Sequence, residues 1–427
     1  MSCLRALAAA AALFALICAG CSARSPARAR PVACLGSAPA RTPPAQQGTP
    51  TSWTERTAAR ESQAQPVSAQ AVDPAIGLAY DLISRTRTPA SGRYVLECTE
   101  LRTGTVHQGP ALPVGHLAIA SGYLWVYGAA GSGAAGSGAQ PHVSQVDPRS
   151  LGLIRSIRLP AVPAPDYPMM AIAAGPGGSV WIGSFQALLR VDATTGAVLA
   201  RVSLPAGLAV SDISADPGRR HLYVSMAHLA NGGIQGSEVA EYDARSGRRL
   251  AVAVSGLITD SVAGAALTAV PGGVWASFRT GMLGLTIRLR RSDLAMTVPP
   301  GQGIAQAPAT GLFHWPMYAT TVYGGGALWL ATQTGIVACL NPETGKVRAA
   351  ERVPQARLIY QLLAADPVSR QVFAVGARGL LRISPPRRCW SAPPAKGLGP
   401  AAETLLRHKG GEPTSRRAPR SDLLFRV

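Results

Sequence analysis

The side chains of this chain that could do chemistry are few and widely spread. Its seven histidines form no pair at metal-ligand spacing, and His221 and His228 only flank the two ends of one strand-like run. No G-x-S-x-G elbow, H-E-x-x-H pair or glycine-lysine phosphate loop is present, so the common hydrolytic and phosphoryl-transfer signatures are missing. No C-x-x-C or His-flanked cysteine pair suggests zinc. The reading therefore assigns no catalytic residue, no metal and no cofactor, and favours a binding protein over an enzyme. Binding needs exposed polar and aromatic groups on loops, and the segment FHWPMY (313–318) places aromatics where no core demands them. With residues of three other loop-like segments, the candidate ligand contacts are His142, Asp166, Tyr167, His228, Asn231, His314, Trp315 and Tyr318.

These loops need a scaffold, and the scaffold is repetitive. The stretch VWIGSFQALLRVDATTGAVLARVSLP (180–205) recurs in outline at 210–255 and 319–354. Each unit has an apolar strand, a turn, a strand centred on an aromatic, a third strand ending in Asp or Asn, a turn closing on Gly, and a fourth strand. The aromatics are Trp125, Trp181, Tyr223, Trp275, Trp329 and Phe373. Asp or Asn at the head of DATTG (192–196), DARSG (243–247) and NPETG (341–345) can accept turn N–H groups, and the closing Gly can take positive φ. Their acidic groups are read as turn formers, with no calcium role.

Four strands in units of roughly 40–55 residues indicate an all-β propeller. The aromatics imply six blades over residues 94–390; seven follow if 93–115 belong to a blade of their own. An N-terminal strand around 93–106 is expected to complete the last blade, leaving no open edge. That places Cys98 and Cys389 to form a disulfide across the closure, with Cys34–Cys98 as the competing pairing. The long inter-strand segments 128–142, 161–168, 228–237 and 299–318 would then share one face, opposite the tight turns.

The pattern VW…VDxxTGxV resembles the YVTN/NHL/quinoprotein-like propellers of bacterial secreted proteins and lipoproteins, over about 94–386. The resemblance implies the fold, and within it scaffolds, binding proteins, lyases and dehydrogenases all occur. The His/Glu set of the lyases is not matched, and of the Trp-bearing docking motif of quinoprotein dehydrogenases only the turn half is visible. The alternative function is accordingly an extracytoplasmic lyase, hydrolase or quinoprotein-like enzyme with its site at the central channel.

The ends of the chain concern location. Arg5, an apolar run over 6–17 and small residues after it read as a signal peptide. CAGC (18–21) resembles a lipobox, with Cys18 standing where Leu is usual; lipidation of Cys21 is expected, and plain secretion is the alternative. Residues 22–93, rich in Ala, Pro and Arg, read as a disordered tether with a short helix over 73–86, and 391–427 as a basic tail. The formal charge of +19 is borne almost wholly by Arg, and without basic runs interleaved with aromatics it does not indicate nucleic acid. The expected protein is thus an exported monomer, anchored on the outer face of the cytoplasmic membrane, with an envelope protein or polymer as partner.

Overall fold

The computed structural model describes residues 54–57, 67–84, 93–113, 116–128, 142–159, 171–184, 186–230, 233–254, 265–280, 283–298, 319–332, 335–353, 359–376 and 379–390. They form seven four-stranded antiparallel sheets. Blade 1 is Val67–Asp73, Leu78–Ser84, Arg93–Glu100 and Val106–Pro113. Blade 2 is Leu117–Ala120, Tyr123–Gly128, His142–Val146 and Leu153–Arg158. Blade 3 is Ala171–Ala174, Ser179–Ser184, Ala187–Asp192 and Val198–Ser203. Blade 4 is Leu208–Ala215, His221–Ala230, Gly233–Asp243 and Arg249–Val254. Blade 5 is Ala265–Val270, Gly273–Thr280, Leu283–Arg290 and Met296–Val298. Blade 6 is Ala319–Gly324, Ala327–Thr332, Ile336–Leu340 and Val347–Arg352. Blade 7 is Ile359–Asp366, Gln371–Gly376 and Gly379–Ser384, with Thr54–Thr57 antiparallel to its third strand. The first strand of every blade touches those of both neighbours, blade 7 touching blade 1, so the sheets make a ring. No helix among the described residues is long and apolar enough to cross a membrane.

The ring has seven blades where six were expected. The uncounted sheet is blade 1, whose aromatic is Tyr80 and whose first two strands lie inside the presumed tether. Alternation in LAYDLIS buries Leu78, Tyr80 and Leu82, and Asp73 caps the preceding turn by accepting the Ala75 N–H at 3.0 Å. That segment is therefore a hairpin and not a helix, and the propeller starts at least as early as Val67. The strand carrying Cys98 is the third of blade 1, so it does not complete the last blade. Residues 1–53, 58–66, 85–92 and 391–427 lie outside the described residues.

What joins one sheet to the next is a buried aromatic in every blade and, in six of the seven, a second residue opposite it that bonds to the following blade. The second strand of each blade carries a fully buried or nearly buried aromatic: Tyr80, Trp125, Trp181, Tyr223, Trp275, Trp329 and Phe373. Strand pleating aims it at the following blade. Trp181, for example, packs with Val210, Leu222 and Tyr242 of blade 4, and Trp275 with Leu328 and Leu340 of blade 6. Several also donate a hydrogen bond to the second residue of that blade's third-to-fourth-strand turn. Tyr80 Oη reaches the Pro148 carbonyl at 2.9 Å, Trp181 Nε1 that of Ala244 at 2.9 Å, and Trp275 Nε1 that of Pro342 at 2.8 Å. In these three cases the aromatic comes from the preceding blade's second strand, 63 to 68 residues from its acceptor.

Directly across from each aromatic, on the third strand, stands Cys98, Gln145, Arg190, Glu241, Arg288, Cys339 or Arg382, and all but Cys98 link to the following blade. Gln145 Nε2 donates to Ala193 O at 2.5 Å, Arg190 Nη1 to Arg245 O at 2.6 Å, Arg288 Nε to Pro342 O at 3.1 Å, and Arg382 to Leu101 O. Glu241 has no proton to donate, and it accepts the Ser292 N–H of blade 5 at 2.8 Å instead. Cys339 does the same work covalently. Blade 7 has no third-to-fourth-strand hairpin, and the short turn Arg387–Cys389 carries Cys389 to Cys339 as a disulfide, Cα–Cα 5.7 Å. Trp390 then packs on Trp329 with ring centroids 4.7 Å apart. The expected Cys98–Cys389 bridge is overturned by this pairing. Cys98 is itself disulfide-bonded, to a partner outside the described residues.

Candidate functional site

The sheet orders bring the second-to-third-strand and blade-to-blade connections to one face and the tight turns to the other. Strands flanking 129–141, 160–170 and 299–318 all end on the first face. Of the expected contacts, Asp166, Tyr167, Asn231, His314, Trp315 and Tyr318 lie outside the described residues. His142 opens the third strand of blade 2, half-buried, opposite Gly128 and Arg158. His228 is on blade 4, and no described contact joins the two histidines.

His228 does not sit in a loop. The segment expected to be an insertion, 228–237, continues the two central strands of blade 4, which pair as far as Ala230 and Gly233 with a register shift at His228/Leu229. These strands run 10 and 11 residues, against 6 and 6 in blade 3, so this hairpin stands proud of its neighbour on the loop-bearing face. Alternation turns His228, Met226 and Glu238 toward blade 3. His228 Nε2 lies 3.3 Å from Glu238 Oε2. The Glu238 side chain is 8% exposed, and its other oxygen is buried without a hydrogen-bond partner. A carboxylate desolvated in this way is expensive unless something completes its shell. The pair is the described polar group on this face with bonding capacity left over.

Two further carboxylates of blade 4, Glu241 and Asp212, are packed against neighbouring strands. Glu241, fully buried on the turn face, contacts His221 Nδ1 at 2.7 Å, and beside it the Tyr223 hydroxyl is buried without a hydrogen-bond partner. Burial drives the Tyr223 hydroxyl well above its ordinary pKa, the nearby Glu241 adding to it. On the inner wall, a register shift between Val210 and Asp212 turns Asp212 toward blade 5. Its carboxylate accepts the Leu267 N–H at 2.6 Å and the Ile213 N–H at 2.8 Å, while Ser225 Oγ accepts the Ala265 N–H at 2.8 Å. Burial pushes Asp212 up to about 7, against the pull of those two donors. A carboxyl poised near neutrality could exchange protons, but both oxygens are engaged, Oδ2 across the seam by Leu267 of blade 5 and Oδ1 by Ile213 of its own strand. Neither group stands out in the sequence, because Asp212 sits in an apolar-looking run, LAVSDISA, and Glu238 comes directly after the segment 228–237 expected to be a loop. Among the described residues no three His, Cys, Asp or Glu side chains gather as metal ligands.

No protein-family model and no curated protein matches the chain. Among solved structures, it is similar to the crystal structure of BamB from Moraxella catarrhalis, at 15% identity and a TM-score of 0.47, covering 76% of this chain and 85% of that one.

Proposed function

We propose that this is an exported, membrane-tethered and non-catalytic β-propeller of the YVTN/NHL/quinoprotein-like kind, which binds a protein or polymer of the cell envelope through its loop-bearing face. The observation that carries the reading is the asymmetry of the faces. Tight turns close one side, while long connections and the projecting blade 4 hairpin, with His228 and its under-bonded Glu238, occupy the other. Rigid scaffolds that carry their variable segments on one rim bind there. In this reading the lipid anchor is Cys21, and Thr54–Thr57 holds the ring shut by completing blade 7.

The test is a crosslinking pull-down from envelope extract with the full chain, beside His314→Ala/Trp315→Ala and His228→Ala/Glu238→Gln. Loss of one partner in either variant, with an unchanged melting temperature, supports the face assigned here. A partner retained by both variants moves the site to the blade edges. Turnover of an envelope substrate that stops with Asp212→Asn would establish the enzyme reading instead.

A further inference from the structure

The opposite, turn-bearing face has a charge distribution that the fold does not require. In blades 1, 2, 3 and 6 every described turn on this face is neutral or carries one net negative charge, as in 100–105, 147–152, 192–197 and 341–346; in blade 7 the turn 366–371 is neutral too, and only the short turn after its third strand carries two bases, Arg387 and Arg388. Blades 4 and 5 break the pattern. The turn 216–221 carries Arg219 and Arg220, the turn 243–249 carries Arg245, Arg248 and Arg249, and the turn 290–295 carries Arg290 and Arg291. All seven are exposed. The aspartates among them are already engaged. Asp216 accepts the Arg220 and His221 N–H groups, Asp243 those of Arg245 and Ser246, and Asp293 pairs with Arg290. The three turns are contiguous, because Ala244 N donates to Arg220 O at 2.9 Å and Glu241 bonds both His221 and Ser292.

A second, independent feature borders this patch. The residue that starts the outer strand, at the turn-face end, is a large exposed apolar one in blade after blade: Val106 at 49%, Leu153 at 54%, Val198 at 55% and Met296 at 39%. They stand at equivalent register, opposite Thr99, Val146, Val191 and Leu289. In blade 4 that register position is Arg249, and the exposed apolar residue moves one place to Leu250. Scattered exposed apolar residues need no explanation, but a row at one level of the rim does.

We propose that the rim of blades 3–5 on the turn-bearing face docks on an anionic lipid bilayer. Guanidinium forks at Arg245, Arg248, Arg249 and Arg291 suit lipid phosphates. Val198, Leu199, Leu250 and Met296 enter the headgroup boundary beside them, a combination of basic and apolar groups that favours membrane interfaces. A soluble polyanion would use the arginines and gain nothing from the apolar row. Docking in this way turns the loop-bearing face away from the membrane, and it does not depend on what that face binds.

The test is co-sedimentation of the full chain with phosphatidylcholine vesicles and with equal mixtures of phosphatidylcholine and phosphatidylglycerol. Two variants remove the same charge: Arg248→Gln/Arg291→Gln in the patch, and Arg158→Gln/Arg352→Gln at the opposite ends of outer strands, where both side chains are exposed. The patch pair should lower partition onto the mixed vesicles by about tenfold or more, and the distal pair by less than about threefold. Val198→Ser/Leu199→Ser should also weaken binding, without altering its salt dependence. All six positions are exposed, so melting temperatures should match the parent. Equal losses in the two arginine pairs would overturn the proposal and assign the attraction to net charge. An unaffected serine pair would overturn it in favour of a soluble polyanion.

Discussion

At the residue scale, the aromatic of one blade and the turn of the next fit each other by volume. Trp181 packs against the turn closing on Gly247, at φ 72°, where a Cβ would stand 3.0 Å from Trp181 Cη2 and 2.6 Å from Val202 Cγ2. Where the aromatic is the smaller tyrosine, the same turn position holds a leucine: Leu151 follows Tyr80 and Leu294 follows Tyr223, both at positive φ (54° and 52°) and both buried. A left-handed leucine costs about 1–2 kcal/mol, and burying it contributes about 1.5–3 kcal/mol, so filling the gap outweighs the strain. Leu294→Gly should therefore destabilise the protein by about 1–2 kcal/mol. Adding Tyr223→Trp should recover part of that loss, and a double-mutant cycle by chemical denaturation reads the coupling. Asp212 sets a pH dependence. Its folded pKa of about 7 lies above the unfolded value near 4, so its contribution is full below about pH 4 and is lost as pH rises towards 7. Asp212→Asn should remove a decline on the order of 3 kcal/mol from the stability profile between those limits.

At the element scale, the linking position opposite each aromatic shows how one geometric job is done by different chemistries. An amide or guanidinium donates to a turn carbonyl, a carboxylate accepts a turn N–H, and a thiol forms a disulfide where the turn itself is absent. The Cys339–Cys389 bridge spans 50 residues and ties the segment after blade 7 to blade 6. Cys339→Ser/Cys389→Ser should lower stability by about 2–4 kcal/mol under oxidising conditions and leave the protein less sensitive to reductant than its parent, as read by denaturation with and without dithiothreitol. The blade 4 hairpin is the element where packing leaves something over. Its central strands outrun those of blade 3 and end in a His–Glu pair with unspent bonding capacity. Glu238→Gln should be neutral or mildly stabilising, because it removes a poorly solvated charge. A loss of partner binding without a loss of stability would separate function from folding at this position.

At the scale of the whole molecule, a ring makes each sheet depend on two neighbours. Trp125→Ala, Trp181→Ala and Trp275→Ala should each cost about 3–5 kcal/mol and lower one common melting transition, with no early partial unfolding of the altered blade. Calorimetry beside hydrogen exchange on blades far from the substitution checks this. The ring also separates two surfaces of different character, a loop-bearing face and a turn-bearing face whose arginine-rich turns lie on blades 4 and 5, beside an exposed apolar row that runs over blades 1–5. Neither surface could be drawn without the order of the sheets.

By itself the sequence determined the all-β repeat, the aromatic of every blade but the first, and the Asp- or Asn-headed turns, because period-two alternation and turn chemistry are local. Only the tertiary structure decided the number of blades, since Tyr80 lies among residues whose composition looks like a linker and gains its meaning from Leu124, Val126 and Pro148 of blade 2. It decided the disulfide, because Cys339 and Cys389 meet only where blade 7 lacks a hairpin. It also gathered the arginines of three turns, and set Asp212 against Leu267 and Glu238 beside His228. Those arrangements follow from how neighbouring blades and strands are laid together, and spacing along the chain does not encode them.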